Sequence, residues 1–237
     1  MKSRSWFLLL IIDAIIDLLF VLVQHEEWRY TTKPLLLLLL TGYAFSKIKI
    51  KDKLFFLLSA GLFFSLSGDI FLMFERKASY WFIPGLIGFL IAHIFYIILF
   101  IQVRQENQSQ KKFNIPVVLL TGAYTTFLYL LLKPTLGNLE IPVLIYAVVL
   151  SCMFISGFHA FDFSKQQAGR LCITGAALFV TSDSLLAINK FYDPFNTAGF
   201  VVMLTYDLAQ LLIVLGISSY LNDLHKRRNN PSSYERA

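Results

Sequence analysis

The strongest constraint in this sequence is a series of eight apolar runs, each close to the length that crosses a bilayer. A helix needs about 20 predominantly apolar residues to span the hydrocarbon core. The runs are separated by short polar segments such as HEEWRYTTK and KIKIKDK. We therefore predict an all-α membrane protein, an eight-helix transmembrane bundle, with spans at 5–23, 34–48, 54–74, 80–103, 113–133, 141–160, 167–189 and 196–220.

Composition excludes the other classes of protein. The chain of 237 residues is 57% hydrophobic and 15% charged, whereas about a quarter of the residues in a soluble domain are charged. A chain of this size cannot hide so much apolar surface from water, and it is too apolar to be disordered. Cys152 and Cys172 lie inside apolar runs, so we predict neither a disulfide framework nor a thiolate metal site.

The first run begins like a signal peptide, with basic residues ahead of a leucine-rich segment. Asp13 and Asp17 interrupt its apolar region and no small-residue cleavage site follows, so we expect the run to be retained as a helix. Residues 1–221 are then predicted to form a single eight-span transmembrane domain. Residues 222–237 are predicted to form a basic, disordered cytoplasmic tail.

Lys and Arg are concentrated on one side of the predicted spans. With a cytoplasmic N-terminus, the cytoplasmic side holds KIKIKDK, RQENQSQKK and the basic C-terminal end, and such a bias sets the orientation of membrane proteins. Both termini are therefore predicted to be cytoplasmic. The net charge of +6 follows from this topology, so no nucleic-acid partner is predicted. Short loops and a retained first span favour a bacterial inner (cell) membrane, with an endomembrane as the alternative.

A shift of 114 residues brings two parts of the chain into register. The matching pairs are Gly61 with Gly175, Asp69 with Asp183, Gly85 with Gly199, His93 with Asp207 and Tyr96 with Gln210. The third and fourth spans are then repeated as the seventh and eighth in the same orientation. This predicts two parallel four-helix repeats with pseudo-twofold symmetry about the membrane normal, although the first two spans show little similarity to the fifth and sixth.

Several polar side chains lie inside the apolar runs, where a carboxylate costs at least about 2.5 kcal/mol on insertion scales. Helical spacing places them on shared faces with glycine and alanine, so we expect them to point into the bundle. Two interpretations stay open at this point, because such groups either fix helix packing or perform chemistry. We predict one polar cavity, open toward the outer third of the membrane and with His93 and Asp207 deepest, lined by Asp69, Asp183, His93, Asp207, Tyr96, Tyr206 and Gln210.

The sequence lacks the signatures of several other chemistries. It contains no G-x-S-x-G elbow, no H-E-x-x-H and no Walker loop. Its four histidines, at positions 25, 93, 159 and 225, are scattered, so we predict no metal site. Paired carboxylates remain as the groups that carry a reaction.

These segments resemble the lysoplasmalogenase family, also called YhhN-like, of multi-pass membrane proteins. The resemblance runs in order through Lys33-Pro34, SLSGDIFLM around Asp69, GLIGFLIAHIFY with His93, Tyr146, GAALFVTSDSLLAINKF around Asp183 and TYDLAQLLI around Tyr206. It implies an eight-span hydrolase that cleaves the vinyl ether bond of lysoplasmalogens, releasing a fatty aldehyde and glycerophosphoethanolamine or glycerophosphocholine. The implied partners are a lysophospholipid with a vinyl ether chain and membrane lipid. No metal or organic cofactor is implied, and the oligomeric state is left open.

That reaction needs a protonated acid, a negative group near the developing cation and a base for water, which glycosidases provide with two carboxyl groups. Asp69 and Asp183 are the predicted acid and stabilising carboxylate or base, in either order, and His93 is predicted to position water or shuttle protons. Lys33 is predicted to meet the substrate phosphate at the headgroup level. The other predicted substrate-binding residues are Tyr96, Ser182, Tyr206, Asp207 and Gln210.

Two other functions stay open on the sequence. Parallel repeats with embedded carboxylates also describe a proton-coupled membrane transporter that uses the same Asp pair. A non-catalytic lipid-binding or scaffold protein is the third candidate. Solute uptake without a covalent change would favour the transporter, and tight lysolipid binding without product would favour the scaffold.

Overall fold

A computed structural model describes residues 3–75, 77–107, 113–163 and 166–229 of the chain. Within these ranges the protein is helical, with no β-strand. The α-helices of the described residues are α1 (Ser3–Leu22), α2 (Glu26–Lys47), α3 (Lys53–Phe74), α4 (Phe82–Glu106), α5 (Ile115–Leu136), α6 (Glu140–Ala160), α7 (Gln167–Phe191) and α8 (Ala198–Asn229). Short 3-10 turns, Ser79–Trp81 and Gly137–Leu139, lead into α4 and α6.

Six helical stretches of the described residues are long and apolar enough to cross a membrane. One of them, 115–160, contains both α5 and α6, and α2 is not among the six. The polar segment EEWRYTTK at the start of α2 makes that helix less apolar than the others. The structure therefore confirms the prediction of an all-helical protein with several membrane-spanning helices.

Helix α2 begins before its predicted span. It starts at Glu26, and Pro34 lies inside it, whereas the sequence analysis put this proline in the first turn. An interior proline removes one helical hydrogen bond, but α2 packs along α1 and α3, which keeps the helix continuous. The predicted start was wrong because a proline in the first turn and one inside a well-packed helix give the same local signal.

Helix α8 ends later than predicted. It continues to Asn229, whereas the sequence predicted a span ending at residue 220 and a disordered tail from residue 222. Its last turn carries Lys226, Arg227 and Arg228, and cations there interact favourably with the carbonyl end of a helix. The prediction of disorder is thus corrected for 222–229, and the rest of the predicted tail lies outside the described residues.

Helix α1 shows how the bundle is oriented toward lipid. Its buried residues are Leu10, Asp13 and Asp17, while Leu8 and Ile12 are 62% and 53% exposed. A soluble protein would bury the aliphatic side chains and expose the acids. The reversed pattern fits a helix whose outer surface contacts acyl chains and whose polar groups face the other helices.

Helices α3 and α4 pack against each other, antiparallel, through glycine. A Cβ atom added to Gly61 would lie 2.5 Å from the ring of Tyr96, and one added to Gly88 would lie 2.8 Å from the backbone of Gly68. Small residues allow such close approach of helices in a membrane. The glycines therefore bring the two helices together at the level where α3 carries Asp69.

Helices α7 and α8 form a second antiparallel pair. A Cβ atom on Gly175 would lie 2.8 Å from the carbonyl oxygen of Ala209 and 3.0 Å from the backbone nitrogen of Ile213. Ser182 Oγ donates a hydrogen bond of 2.9 Å to the carbonyl oxygen of Val202. This pair therefore also meets backbone to backbone, next to Asp183.

The two helix pairs make equivalent contacts under the shift of 114 residues. Gly68 of α3 and Gly88 of α4 are in contact. Under this shift they correspond to Ser182 of α7 and Val202 of α8, which are joined by the hydrogen bond from Ser182 Oγ. Tyr96 and Gln210 are 114 residues apart, and Tyr96 Oη donates to Gln210 Oε1 at 2.8 Å. A residue contacts its own symmetry mate only near the symmetry axis. These contacts support a pseudo-twofold axis between the two pairs.

The close contact of α3 with α4 leads us to predict that a larger residue at Gly88 lowers the stability of the protein. Gly88→Ala should lower the thermal unfolding midpoint of the detergent-purified protein, because overpacking a core costs about 1–3 kcal/mol and the new methyl group meets the backbone of Gly68. Gly122→Ala is the matched control, since no atom lies within 4 Å of a Cβ at that helical position. Equal midpoints for the two variants would contradict the packing described.

Candidate active site

A narrow cavity lies between α3, α4, α6 and α7, with a volume of about 50 Å³. This volume holds a few water molecules, since one water needs about 10–15 Å³ by the same kind of measure. The wall is mostly apolar, and its charged members are Asp183 and Lys190. The lining side chains of the described residues are Leu72, Phe82, Leu86, Phe89, Val143, Tyr146, Asp183, Leu186, Ala187, Lys190 and Phe191.

Three helices position the groups around Asp183. Helix α7 carries the carboxyl, which is 12% exposed, and Tyr146 on α6 donates a hydrogen bond of 2.6 Å to its Oδ2. His93 on α4 places Nε2 3.9 Å from the same oxygen, which is longer than a hydrogen bond. We call these three residues the Asp183 cluster. They form an acid with two polar neighbours at the edge of the cavity.

His93 is buried and held by aromatic rings. Its ring lies 4.7 Å from that of Phe179 and 5.5 Å from that of Tyr146, both edge-on. Within the described part of the chain, neither ring nitrogen has a hydrogen-bond partner, although buried polar groups are nearly always paired. The aromatic rings thus fix the orientation of the imidazole beside Asp183.

The second predicted acid, Asp69, lies in a separate group of polar side chains. Lys33 Nζ is 2.9 Å from Asp69 Oδ1, and Tyr206 Oη donates to Asp69 Oδ2 at 2.7 Å. Gln210 Nε2 donates to Tyr206 Oη at 3.3 Å, and Gln210 Oε1 accepts a hydrogen bond from Tyr96 Oη. We call these five residues the Asp69 cluster. It joins α2, α3, α4 and α8, and Asp69 itself is 1% exposed.

Aromatic rings link the two clusters. The ring of Tyr206 is 5.5 Å from that of Phe179, which in turn contacts His93. Phe89 lies 5.7 Å from Tyr206 and lines the cavity. The rings of Tyr206 and Phe179 therefore connect the Asp69 cluster to the Asp183 cluster.

The arrangement corrects the predicted shape of the site. Of the seven residues predicted to line one cavity, the described cavity wall includes Asp183 alone, because aromatic packing separates it from the Asp69 cluster. His93 was expected deeper than the acids, but it lies beside Asp183. Residue position along a helix does not report how the helices are tilted and shifted, so the sequence alone did not fix how these side chains lie relative to one another.

Three predicted substrate-binding residues lie outside the described cavity wall. Lys33 directs its ammonium group to Asp69 instead of to a surface where a phosphate would bind. Ser182 donates to the backbone of α8 and does not support Asp183. Asp207 is 7% exposed, and in the described residues neither of its carboxyl oxygens has a hydrogen-bond partner. Lys33 and Ser182 thus contact other helices, while their predicted role in substrate binding stays a prediction.

Asp17 of α1 has partners on the next helix. Thr32 donates to Asp17 Oδ1, and Arg29 Nε lies 3.7 Å from the same oxygen. Both partners belong to α2. These contacts connect Asp17 of α1 to α2.

The structure adds residues that sequence reasoning left out of the site. Tyr146 lies in an apolar run without a polar neighbour at helical spacing, so nothing local marked it as a partner of Asp183. Lys190 did carry a signal, because it follows Asp183 by two helical turns and therefore shares its face. Phe82 and Phe191 lie beside it in the cavity wall.

Known proteins match most of the chain. The sequence profile of the YhhN family matches residues 28–217. The human protein named lysoplasmalogenase TMEM86B is 31% identical over 159 residues, which is 67% of this chain and 62% of that protein. The bovine protein named lysoplasmalogenase TMEM86A is 30% identical over 163 residues, which is 65% of this chain and 62% of that protein.

The chain thus spans about 62% of the length of these curated relatives. No solved structure matches it significantly. The family profile covers both polar clusters, from Lys33 on α2 to Gln210 on α8. By this match, the protein belongs to the YhhN family.

Proposed function

We propose that the protein is a lysoplasmalogenase-like hydrolase, which cleaves the vinyl ether bond of a lysoplasmalogen to a fatty aldehyde and a glycerophospho-alcohol. The observation that carries the proposal is the carboxyl of Asp183 at the wall of an apolar cavity, with Tyr146 and His93 beside it. The names of the relatives favour this activity over the transport alternative.

The first step is protonation of the β-carbon of the vinyl ether. Asp183 delivers the proton from Oδ1, because Tyr146 and His93 both approach Oδ2. The double-bond electrons form the new C–H bond, and the ether oxygen stabilises the resulting carbocation as an oxocarbenium ion. Asp183 is left as a carboxylate next to this cation, as in the carboxyl chemistry of glycosidases.

The second step is attack by water on the oxocarbenium carbon. His93 orients the water, and Asp183 accepts the proton that the water loses. The hemiacetal that forms then breaks its bond to the glycerol oxygen, which takes up a proton and leaves as an alcohol. The remaining fragment is the fatty aldehyde, so the reaction consumes one water and returns Asp183 to its acid form.

Asp69 is the proposed stabilising carboxylate. Lys33 and Tyr206 each bind one of its oxygens, so the group is held in one orientation. Charges interact more strongly in a bundle interior than in water, and the ring contacts from Tyr206 through Phe179 to His93 connect Asp69 to the Asp183 cluster. Asp69 thus acts on the reaction through the field at Asp183 and does not contact the substrate.

The apolar cavity wall suits the single hydrocarbon chain of a lysolipid. Leu72, Leu86 and Leu186 come from three different helices, and ligand pockets are typically apolar with a few placed polar groups. A lysolipid is larger than the present volume of about 50 Å³, so binding requires these side chains to move apart. Flexible leucine side chains permit such movement at low cost.

We also propose that all eight helices span the membrane, with both termini cytoplasmic, and that the membrane is a bacterial inner membrane. The six apolar stretches support this topology, since one of them contains two helices, and α2 packs between α1 and α3. The cavity end of α7 then faces the outer leaflet. A lysolipid reaches Asp183 from that side.

The proposed acids make a prediction for activity. Asp183→Asn should lower kcat for aldehyde release by at least about a hundredfold, because general acid catalysis contributes roughly 10²–10⁴. Asp69→Asn should lower kcat by a smaller factor, since it acts through Asp183. The measurement is fatty aldehyde released from a vinyl-ether lysolipid, with fatty acid release from an acyl lysolipid assayed in parallel.

Asp223→Asn is the control for the two acids, because this exposed residue near the end of α8 pairs with Lys226 and should keep parent activity. Folded Asp183→Asn and Asp69→Asn proteins that release aldehyde at the parent rate would end the proposed mechanism. A parent protein that binds lysolipid tightly and forms no aldehyde would favour the scaffold alternative.

The hydrogen bond from Tyr146 makes a separate prediction. Tyr146→Phe should lower kcat about tenfold with little change in KM, because it removes the group that orients Asp183 but leaves the cavity shape intact. Tyr124→Phe is the matched control, since Tyr124 donates a hydrogen bond to Ser184, which lies on α7 next to Asp183. Tyr124 itself lies outside the described cavity wall. If kcat falls equally in both variants, removing either hydroxyl only disturbs the structure of the bundle, and Tyr146 has no specific role in orienting Asp183.

The proposed topology predicts where the loops are exposed. In a background without Cys152 and Cys172, the Asn138→Cys variant should react with a membrane-impermeant maleimide on intact bacterial spheroplasts, because Asn138 is exposed in the turn between α5 and α6. A cysteine at Lys51 should react after the membrane is opened. Labelling of Lys51→Cys in intact spheroplasts would contradict cytoplasmic termini.

A further inference from the structure

Two oppositely charged side chains meet at the mouth of the cavity. Lys190, near the end of α7, pairs with Glu75, which directly follows α3. Their side chains are 26% and 25% exposed. The ion pair is therefore reachable from outside the bundle, while Lys190 also forms part of the cavity wall that contains Asp183.

Two aromatic rings complete the mouth. Lys190 Nζ lies 4.3 Å from the ring centre of Phe82 and 5.6 Å from that of Phe191. The two rings contact each other edge-on at 5.8 Å, and both line the cavity. Aromatic faces attract cations, including quaternary ammonium groups. The mouth thus offers one cation, one anion and two cation-binding rings within a small space.

The spacing between Lys190 and Asp183 matches the substrate of the proposed reaction. Seven residues along α7 correspond to about two turns, so both side chains share one face at roughly 10 Å along the axis. In a vinyl-ether lysophospholipid, about seven bonds separate the phosphorus from the β-carbon, or roughly 8–9 Å when extended. One molecule therefore reaches Lys190 with its phosphate while its double bond lies at Asp183.

We propose that Lys190, Glu75, Phe82 and Phe191 form a headgroup clamp for a zwitterionic lysophospholipid. Lys190 binds the phosphate, and Glu75 with the two rings binds the ammonium group of the headgroup. The proposal rests on the proposed function, because it places the headgroup of the same molecule whose vinyl ether bond Asp183 protonates. It also assigns the phosphate to Lys190 instead of Lys33, whose ammonium group is bound by Asp69.

Charge balance explains why the clamp selects a zwitterion. When a zwitterionic headgroup enters, phosphate replaces Glu75 on Lys190 and the ammonium replaces Lys190 on Glu75, so every charge keeps a partner. An anionic headgroup satisfies Lys190 but leaves Glu75 unpaired beside a second negative charge. An unpaired charge in a partly buried site is costly, so the clamp discriminates against anionic lysolipids.

The test compares two non-hydrolysable alkyl-ether lysolipids, one with phosphocholine and one with phosphoglycerol, binding to the detergent-purified full chain. The parent should bind the phosphocholine form about tenfold more tightly. Glu75→Gln should remove most of this preference by improving phosphoglycerol binding. Lys190→Met should weaken both ligands about tenfold, and the thermal unfolding midpoint of each variant shows whether it is folded.

A second ion pair at the turn between α5 and α6 supplies the controls. Lys133 Nζ and Glu140 Oε1 are 3.0 Å apart, in a more exposed position outside the cavity wall. Lys133→Met and Glu140→Gln should leave both affinities at parent values. Headgroup preference that changes equally in the Glu75 and Glu140 variants would overturn the clamp.

A charge exchange separates the clamp from a purely structural ion pair. The double variant Lys190→Glu with Glu75→Lys keeps the attraction between α3 and α7 but puts a carboxylate where the phosphate would bind. If the pair only joins the helices, this variant binds phosphocholine lysolipid as the parent does, and the clamp is wrong. If the clamp is right, the double variant binds the phosphocholine lysolipid about tenfold more weakly than the parent does.

Aldehyde release from the vinyl-ether lysolipid distinguishes this proposal from the proposed function. A parent that prefers phosphocholine, loses that preference in Glu75→Gln and yet releases no aldehyde supports the clamp and contradicts the hydrolase. A parent that releases aldehyde but binds both headgroups equally contradicts the clamp and supports the hydrolase. KM should rise in Lys190→Met with little change in kcat, whereas Asp183→Asn changes kcat.

Discussion

The cost of placing a carboxylate in hydrocarbon is the constraint on which the rest of this structure depends. The acids of the apolar helices turn toward the bundle interior, as Asp13 and Asp17 do on α1 while Leu8 and Ile12 face outward. Their partners come from other helices, since Asp69 is bound by α2 and α8 and Asp183 by α6. The contacts that compensate for burial therefore also set which helices pack together.

The two clusters contain acids at positions related by the shift of 114 residues, but different groups bind these acids. Asp69 and Asp183 are equivalent positions, and Tyr146 lies 114 residues after Thr32, the neighbour of Lys33. Equivalent helices thus supply an ammonium group to one acid and a phenol to the other. The first acid is held in an ion pair inside the bundle. The second is left at the cavity wall, where the proposed reaction needs an acid.

Much of the fold followed from local sequence patterns. Apolar runs located helices α3 to α7 to within a few residues, and the glycine and acid spacing identified the inward faces of α3, α4, α7 and α8. The start of α2 and the end of α8 were missed because proline and basic residues are compatible with both a helix end and its interior. Helical periodicity reports the direction in which a side chain points relative to its own helix.

The sequence by itself determined that this chain is a bundle of membrane helices with acids turned inward, because bilayer thickness and the cost of buried charge act on each helix separately. Only the tertiary structure decided that Lys33 binds Asp69, that Tyr146 binds Asp183 and that Asp183 alone of the two acids meets the cavity. These contacts join helices distant in the chain. They depend on how each helix is shifted and rotated against its neighbours, which no local pattern specifies.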